Sequence, residues 1–150
     1  MSEHRVTVLW TRTSPDFTSE SYNRTHEIDV GLGSRIPGSS APEFRGHVDR
    51  LDPERALVSA LSSCHMLTFL AIAARKRLTL DGYEDHAVGY LEKNSAGKLA
   101  VTRVILRPKV IWAEGVAVSA DDLANLHRLA HGECFIANSV KTDVQVESQA

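Results

Sequence analysis

The two cysteines of the chain, Cys64 and Cys134, are its most reactive side chains, and they sit in contrasting settings. Cys64 falls in the middle of DPERALVSALSSCHMLTFLAIAA, Asp52 to Ala74, which otherwise reads as an apolar core helix. A lone cysteine on an apolar helix face is by default inert packing. Burial without a positive partner raises its pKa and keeps it protonated. Chemistry at Cys64 therefore needs a cation. The candidates are Arg24 in SYNRTHEI, Arg45 in EFRGH, Arg50 and the adjacent His65, and Glu54 could hold a guanidinium by a bidentate pair. Cys134 lies beside Gly132, at the N-terminal side of the short apolar segment CFIANSV, where backbone N–H groups can lower a thiol pKa. Two cysteines in two helical segments that pack together can meet within disulfide distance.

Glu54 precedes Cys64 by ten residues. In a continuous helix that is ~15 Å along the axis and nearly ~80° around it, so Glu54 cannot reach its own Cys64. If Glu54 and a bound arginine serve a thiol, they serve the thiol of the other subunit, which predicts a homodimer with sites at the interface. Glu54 also reads simply as a first-turn acid favoured by the helix dipole. A competing constellation is His127 and His131, four apart, followed by Cys134, with Cys64-His65 able to complete a zinc-type set. Helical histidines at this spacing are more often solvent-facing or hydrogen-bonded to neighbours, and Gly132 is expected to break the register. No metal and no other cofactor is assigned.

The elements that must position these residues are readable from pattern. RVTVLWTR (5–12) has strand content, and THEIDVGLG (25–33) alternates until the glycines stop it. Gly31 to Arg50 carries Gly, Pro and Ser without periodicity and reads as a long loop. GLGSRIPG within it leads into loop rather than helix, which discounts it as a phosphate cradle. Asp52-Pro53 reads as an N-cap and first helical proline. The helix runs through Ala56, Leu57, Ala60, Leu61, Cys64, Leu67, Thr68 and Ala71 on one stripe to the cations Arg75-Lys76-Arg77. Residues 82–93 and 98–112 read as two strands of a hairpin across NSAG, with Pro108 at an edge or bulge. Ser119 to Asp122 has capping-box spacing for a second helix whose inner stripe holds Leu123, Leu126 and Ala130, with Gly132 as its interruption. CFIANSV offers a further helical turn, and TDVQVE (142–147) a final strand. The order β-β-α-β-β-α-β predicts an α+β fold, an antiparallel sheet wrapped on helices.

At 150 residues the chain fits one domain, 1–150. Its 17 basic and 19 acidic residues, with no basic run, give no electrostatic reason to expect nucleic acid. No apolar segment is expected to reach the ~20 residues that span a bilayer, and MSEHRVTVLWTR lacks the apolar core of a signal peptide. A soluble, cytoplasmic protein is expected, with free thiols or a cycling redox pair rather than a permanent disulfide.

DPERALVSALSSCHMLTFLA and AHGECFIANSV resemble the OsmC/Ohr superfamily of thiol-dependent hydroperoxide reductases, from about Arg5 to Glu147. The anchors are a Pro-Glu opening a long apolar helix with a cysteine ten residues after the Glu, and a second cysteine following Ala-x-x-x. The resemblance implies an OsmC-like fold, an intertwined homodimer whose sheets wrap two long central helices. It also implies that Cys64 is the peroxidatic thiol, Cys134 the resolving thiol, and Glu54 the carboxylate that orients an arginine. Arg24 is the closest match for that arginine, with Arg45 as the alternative. Cys64 thiolate would attack an organic hydroperoxide, the sulfenic acid would condense with Cys134, and an external dithiol of lipoyl or other type would reset the disulfide. Met66, Leu67 and Phe69 would suit an alkyl tail. The alternative is a non-catalytic OsmC-like domain that binds a small apolar ligand or a partner, its cysteines buried as packing.

Overall fold

The computed structural model describes residues 1–149. The chain forms two compact units, residues 1–56 and the remainder from Leu57 onward. Three antiparallel strands build the first: β1 (Thr7–Leu9), β2 (His26–Gly31) and β3 (Ser34–Gly38), in the order β1-β2-β3. The third strand and a 3₁₀ turn at Pro42–Phe44 replace much of the loop expected from Gly31 to Arg50. Two features hid the strand. Its reversal uses three consecutive left-handed residues, Gly31, Leu32 and Gly33, at φ 103°, 52° and 77°. SRIPG also contains a proline and a glycine, which normally punctuate strands. Here the Pro37 carbonyl accepts from Leu51 N–H at 3.0 Å. A Cβ on Gly38 would meet the His26 ring at 2.3 Å.

Helix α1 (Pro53–Arg75) begins as its N-cap chemistry dictates. Asp52 Oδ1 accepts from Arg55 N–H at 2.7 Å while Oδ2 takes the Arg55 guanidinium at 2.6 Å. Burial alone would raise the Asp52 pKa, but these bonds more than offset it and the carboxyl sits below its ordinary value. Beyond Leu57 the buried stripe is Leu61, His65, Phe69 and Ala73, one residue every four. This corrects the expected inner stripe. Cys64 is only half-buried, Leu67 is 59% exposed, and Ser63 and Ala71 face outward. The helix is apolar on most sides, so periodicity alone does not select the inner face. By length and composition α1 is also long and apolar enough to cross a membrane, contrary to the expectation that no segment would be.

The expected hairpin forms but is cut in two across its width. Residues 82–93 divide into β4 (Leu80–Asp85) and β5 (Val88–Lys93), and residues 98–112 into β6 (Leu99–Leu106) and β7 (Pro108–Trp112). β4 pairs with β7 and β5 with β6, all antiparallel. Asp85 holds the break. Its Oδ1 accepts from Arg107 N–H at 2.6 Å, and its Oδ2 accepts from the Ser62 hydroxyl on α1. Helix α2 (Ala120–Glu133) starts at Ser119, whose hydroxyl oxygen accepts from Asp122 N–H at 3.1 Å. It runs straight through Gly132, which does not interrupt it. β8 (Asp143–Val146) then joins β6 in parallel, so this sheet, ordered β5-β6-β8, is mixed rather than purely antiparallel.

Two apolar clusters fill the second unit. Phe69, Ala73, Leu126 and Ala130 pack α1 onto α2, with Tyr83, Val110 and Trp112 of the β4/β7 ribbon against them. Leu61, Val104 and Leu106 join α1 to the mixed sheet. Asp85 is the polar tie between these clusters. Asp85→Ala is expected to lower unfolding free energy by about 1–3 kcal/mol, since it strands a backbone donor and a hydroxyl. Urea denaturation checks this, and an unchanged midpoint would show that water replaces both bonds.

Candidate functional site

The thiols of Cys64 and Cys134 meet within hydrogen-bonding contact in the second unit. α1 supplies Cys64 from its middle, and Cys134 caps the C-terminus of α2, its N–H bonded to His131 O. The chain then turns through Phe135 and Ile136 into a 3₁₀ turn at Ala137–Ser139. That turn aims backbone N–H groups at sulfur. Burial pushes the Cys64 thiol up, but N–H donors of Ile136 and Phe135, with the Cys134 thiol and the Thr68 hydroxyl, more than offset it and leave its pKa below the ordinary value. Cys134 is 1% exposed, and its thiol is raised by burial and by the neighbouring Cys64. Ala137 N–H lies 3.4 Å from Cys134 Sγ without reversing that shift. The N–H groups expected to acidify Cys134 thus act on both thiols, but leave only Cys64 below its ordinary value.

His65 is not the cation that Cys64 was expected to need. It is buried on the inner stripe, and its Nε2 lies 3.0 Å from His127 Nδ1 on α2. Burial, then the neighbouring His127 and His131, push its pKa down to about 4, against a raising influence from Asp85. Burial brings His127 to about 4 as well. Both rings are neutral at pH 7. Among the described residues, no group of three or more His, Cys, Asp or Glu side chains is arranged to hold a metal ion, so the zinc-type set does not assemble. Sequence reasoning missed this pair. The available signal was a histidine spaced by four from Leu61 and from Phe69 on an otherwise apolar stripe.

Phe69 is not placed to receive an alkyl tail. It is fully buried, its ring centroid 4.5 Å from His127 and 5.6 Å from Tyr83. Leu67 and Phe135, at 59% and 79% exposed, are the open apolar side chains that flank the cysteines in sequence.

The other expected site residues belong to the first unit. The Arg24 guanidinium donates to Tyr22 O at 2.6 Å and Ser19 O at 2.7 Å and lies 3.9 Å over the Tyr22 ring. Arg45 is an exposed left-handed residue at φ 63° closing the 3₁₀ turn. Arg50 lies 3.5 Å from Glu27. Glu54 occupies the first turn of α1, and its Oε2 is buried without a hydrogen-bond partner among the described residues.

Comparison with known proteins places this geometry in context. The family model described as OsmC-like protein matches residues 46–149. A solved OsmC-like protein of unknown function from Vibrio cholerae is 45% identical and superposes with a TM-score of 0.95, covering 99% of this chain and 100% of its own. An uncharacterized Bacillus subtilis protein, YmaD, is 25% identical over 85% of this chain and 86% of its own length. A solved organic hydroperoxide resistance protein OsmC from Legionella pneumophila shares the fold at 15% identity, with a TM-score of 0.70 over 100% of this chain and 98% of its own.

Two outcomes follow from the titrating groups. At pH 7 Cys64 should be alkylated by iodoacetamide at least about tenfold faster than Cys134, read by mass spectrometry; equal rates would contradict the asymmetry. The histidine pair makes stability pH-dependent. Between the unfolded value of 6.5 and the folded value of about 4, the unfolded chain binds more protons, so stability falls as pH drops through that window. The loss should be on the order of a few kcal/mol in urea titrations at pH 7 and 4.5, and largely absent in a folded His65→Asn/His127→Asn variant.

Proposed function

Because the chain belongs to the OsmC-like family, we propose that it is a thiol-dependent organic hydroperoxide reductase. The observation that carries this is the pairing of an acidified, half-buried thiol at Cys64 with a buried, less acidic thiol at Cys134. A peroxidase needs this order. The thiolate that attacks must be populated near neutral pH, while its partner stays protonated until a sulfenic acid forms beside it. Cys64 thiolate attacks the terminal peroxide oxygen, the O–O bond breaks, and the alkoxide leaves as the alcohol after protonation. Cys134 then displaces hydroxide from the Cys64 sulfenic acid, giving a disulfide and water. An external dithiol, lipoyl-type or other, returns both thiols by exchange. Leu67 and Phe135 offer apolar surface to the alkyl group.

The functional unit in this reading is a cytoplasmic homodimer acting in defence against peroxides. A buried Glu54 Oε2 with no partner within the described chain supports it, since such a carboxylate calls for a guanidinium. Glu54 and an arginine, Arg24 or alternatively Arg45, would then serve the Cys64 of the other copy. Arg24 is preferred because carbonyl bonds and the Tyr22 ring already fix its head group.

Stoichiometric tert-butyl hydroperoxide should convert two free thiols into one intramolecular disulfide, followed by thiol mass spectrometry. Cys134→Ser should accumulate sulfenic acid at Cys64, and Cys64→Ser should lose at least ~10³-fold in turnover. Two unreacted thiols at millimolar peroxide would remove the enzymatic reading in favour of a domain that binds a small ligand or partner. Arg24→Ala should raise the Cys64 pKa and slow reduction by about 100-fold. An unchanged value there, with a raised one in Arg45→Ala, would transfer the role to Arg45. Light scattering should give twice the 16.5 kDa chain mass.

A further inference from the structure

The loop that carries Arg24 is closed by the residue just before it. Asn23 is half-buried, and its side-chain amide bonds backbone on both limbs of that loop. Its Nδ2 donates to Thr11 O at 3.0 Å and lies 3.4 Å from both Thr25 O and Thr25 Oγ1, while its Oδ1 accepts from Thr13 N–H at 2.8 Å. Its own carbonyl accepts from the Trp10 indole N–H at 2.7 Å. One residue thus ties the chain at 10, 11 and 13 to the chain at 25. The intervening TSPDFTSESY, Thr13 to Tyr22, holds turn formers and no strand that could do so instead. Asparagine suits the task, because a short stem carries donors and an acceptor at a fixed angle.

What the closure holds is the setting of Arg24. Both carbonyls that receive its guanidinium, Tyr22 O and Ser19 O, and the Tyr22 ring beneath it belong to the closed loop. On the other side, His26 Nδ1 lies 2.9 Å from Arg24 O, and since a carbonyl only accepts, that nitrogen carries the proton. The Arg24 backbone is therefore fixed by the residue before it and by the strand after it. Phe17 also bridges Trp10 and Tyr22, with ring centroids 5.9 and 5.5 Å away, but it is 68% exposed and bonds no backbone. Opening the loop at Asn23 would release the two carbonyls, the ring and the guanidinium together. An arginine held in advance loses less rotamer freedom when it meets a carboxylate or a thiolate.

We propose that Asn23 is a positioning residue for Arg24, closing the loop between Thr11 and Thr25 so that the guanidinium is presented in one orientation to the Cys64 thiolate of the other copy. The role rests on Arg24 being the arginine that serves that thiol, and Asn23 acts through Arg24 rather than on sulfur.

The pH dependence of Cys64 alkylation by iodoacetamide, followed by mass spectrometry on the reduced full chain, tests this in Asn23→Ala, Arg24→Ala and the double variant. Asn23→Ala should raise the Cys64 pKa and slow alkylation at pH 7 about tenfold, without lowering the limiting rate at high pH. In the Arg24→Ala background the same change should add nothing, since a residue that acts through another is silent once the other is gone. Asn23→Gln, which keeps the amide and displaces it by one methylene, should shift the pKa the same way, and it carries the test if Asn23→Ala loses the dimer mass in light scattering. A wild-type profile in the Asn23 variants beside a raised pKa in Arg24→Ala overturns the positioning role and leaves the peroxidase reading intact. A fully additive effect in the double variant overturns it as well, because Asn23 would then act through the fold. An unchanged Cys64 pKa in Arg24→Ala removes Arg24 from the thiol site, and the role of Asn23 with it.

Discussion

The register between α1 and α2 is the constraint on which the thiol site depends, and the His65–His127 hydrogen bond fixes it. Two imidazoles buried in an apolar interface can pair with each other in one alignment only. Sliding either helix by a turn leaves both unpaired in a medium where an unpaired polar group is costly. Phe69 stacks on His127 and reinforces the same alignment. Cys64 sits beside His65, and Cys134 lies seven residues, about two turns, beyond His127. Aligning the histidines therefore delivers Cys64 to the end of α2, where helical hydrogen bonding stops and backbone donors become available.

That location explains the opposite pKa shifts of two thiols in contact. Both suffer desolvation, which alone would make both poorly reactive. The difference is supplied by the deeper burial of Cys134 and by its neighbour Cys64, since the Ile136 N–H favours the anion on both thiols, Phe135 N–H acts on Cys64 and Ala137 N–H on Cys134. Once Cys64 carries the charge, the neighbouring Cys134 is disfavoured from ionising, so the asymmetry reinforces itself. The chain thus sets the order of ionisation with unequal burial and backbone N–H donors within the second unit, without a charged imidazole.

Much of this was legible in the sequence, and the failures have identifiable causes. Asp52-Pro53, Ser119 and the NSAG turn are local signals whose partners lie within a few residues, and each appears as expected. The α+β class followed from them, whereas the contact of the two cysteines was only one that two packed helical segments could make. β3 was missed because its glycine and proline make their compensating contacts with His26 and Leu51, distant in sequence. The inner face of α1 was misassigned because an all-round apolar helix has no amphipathic signal to read. His65 was weighed as a cation because only the fold reveals that its neighbour is another buried histidine.

The misassigned face carries information of its own. Ser63, Leu67 and Ala71 form an outward stripe on a helix that already has a complete inner stripe. Glu54 Oε2, on the same helix, is buried yet unpaired. These are incompletenesses of different kinds, one apolar and one polar, and no rearrangement of a single side chain removes both. A second copy related by a twofold axis would do so, because an isologous contact presents the same helix face and the same carboxylate to each partner. The apolar stripe would supply the association energy, and the carboxylate would gain an arginine from across the interface. On this argument the two thiols are positioned by the protomer alone, while a cation completing thiol activation in the proposed peroxidase would be gained on assembly.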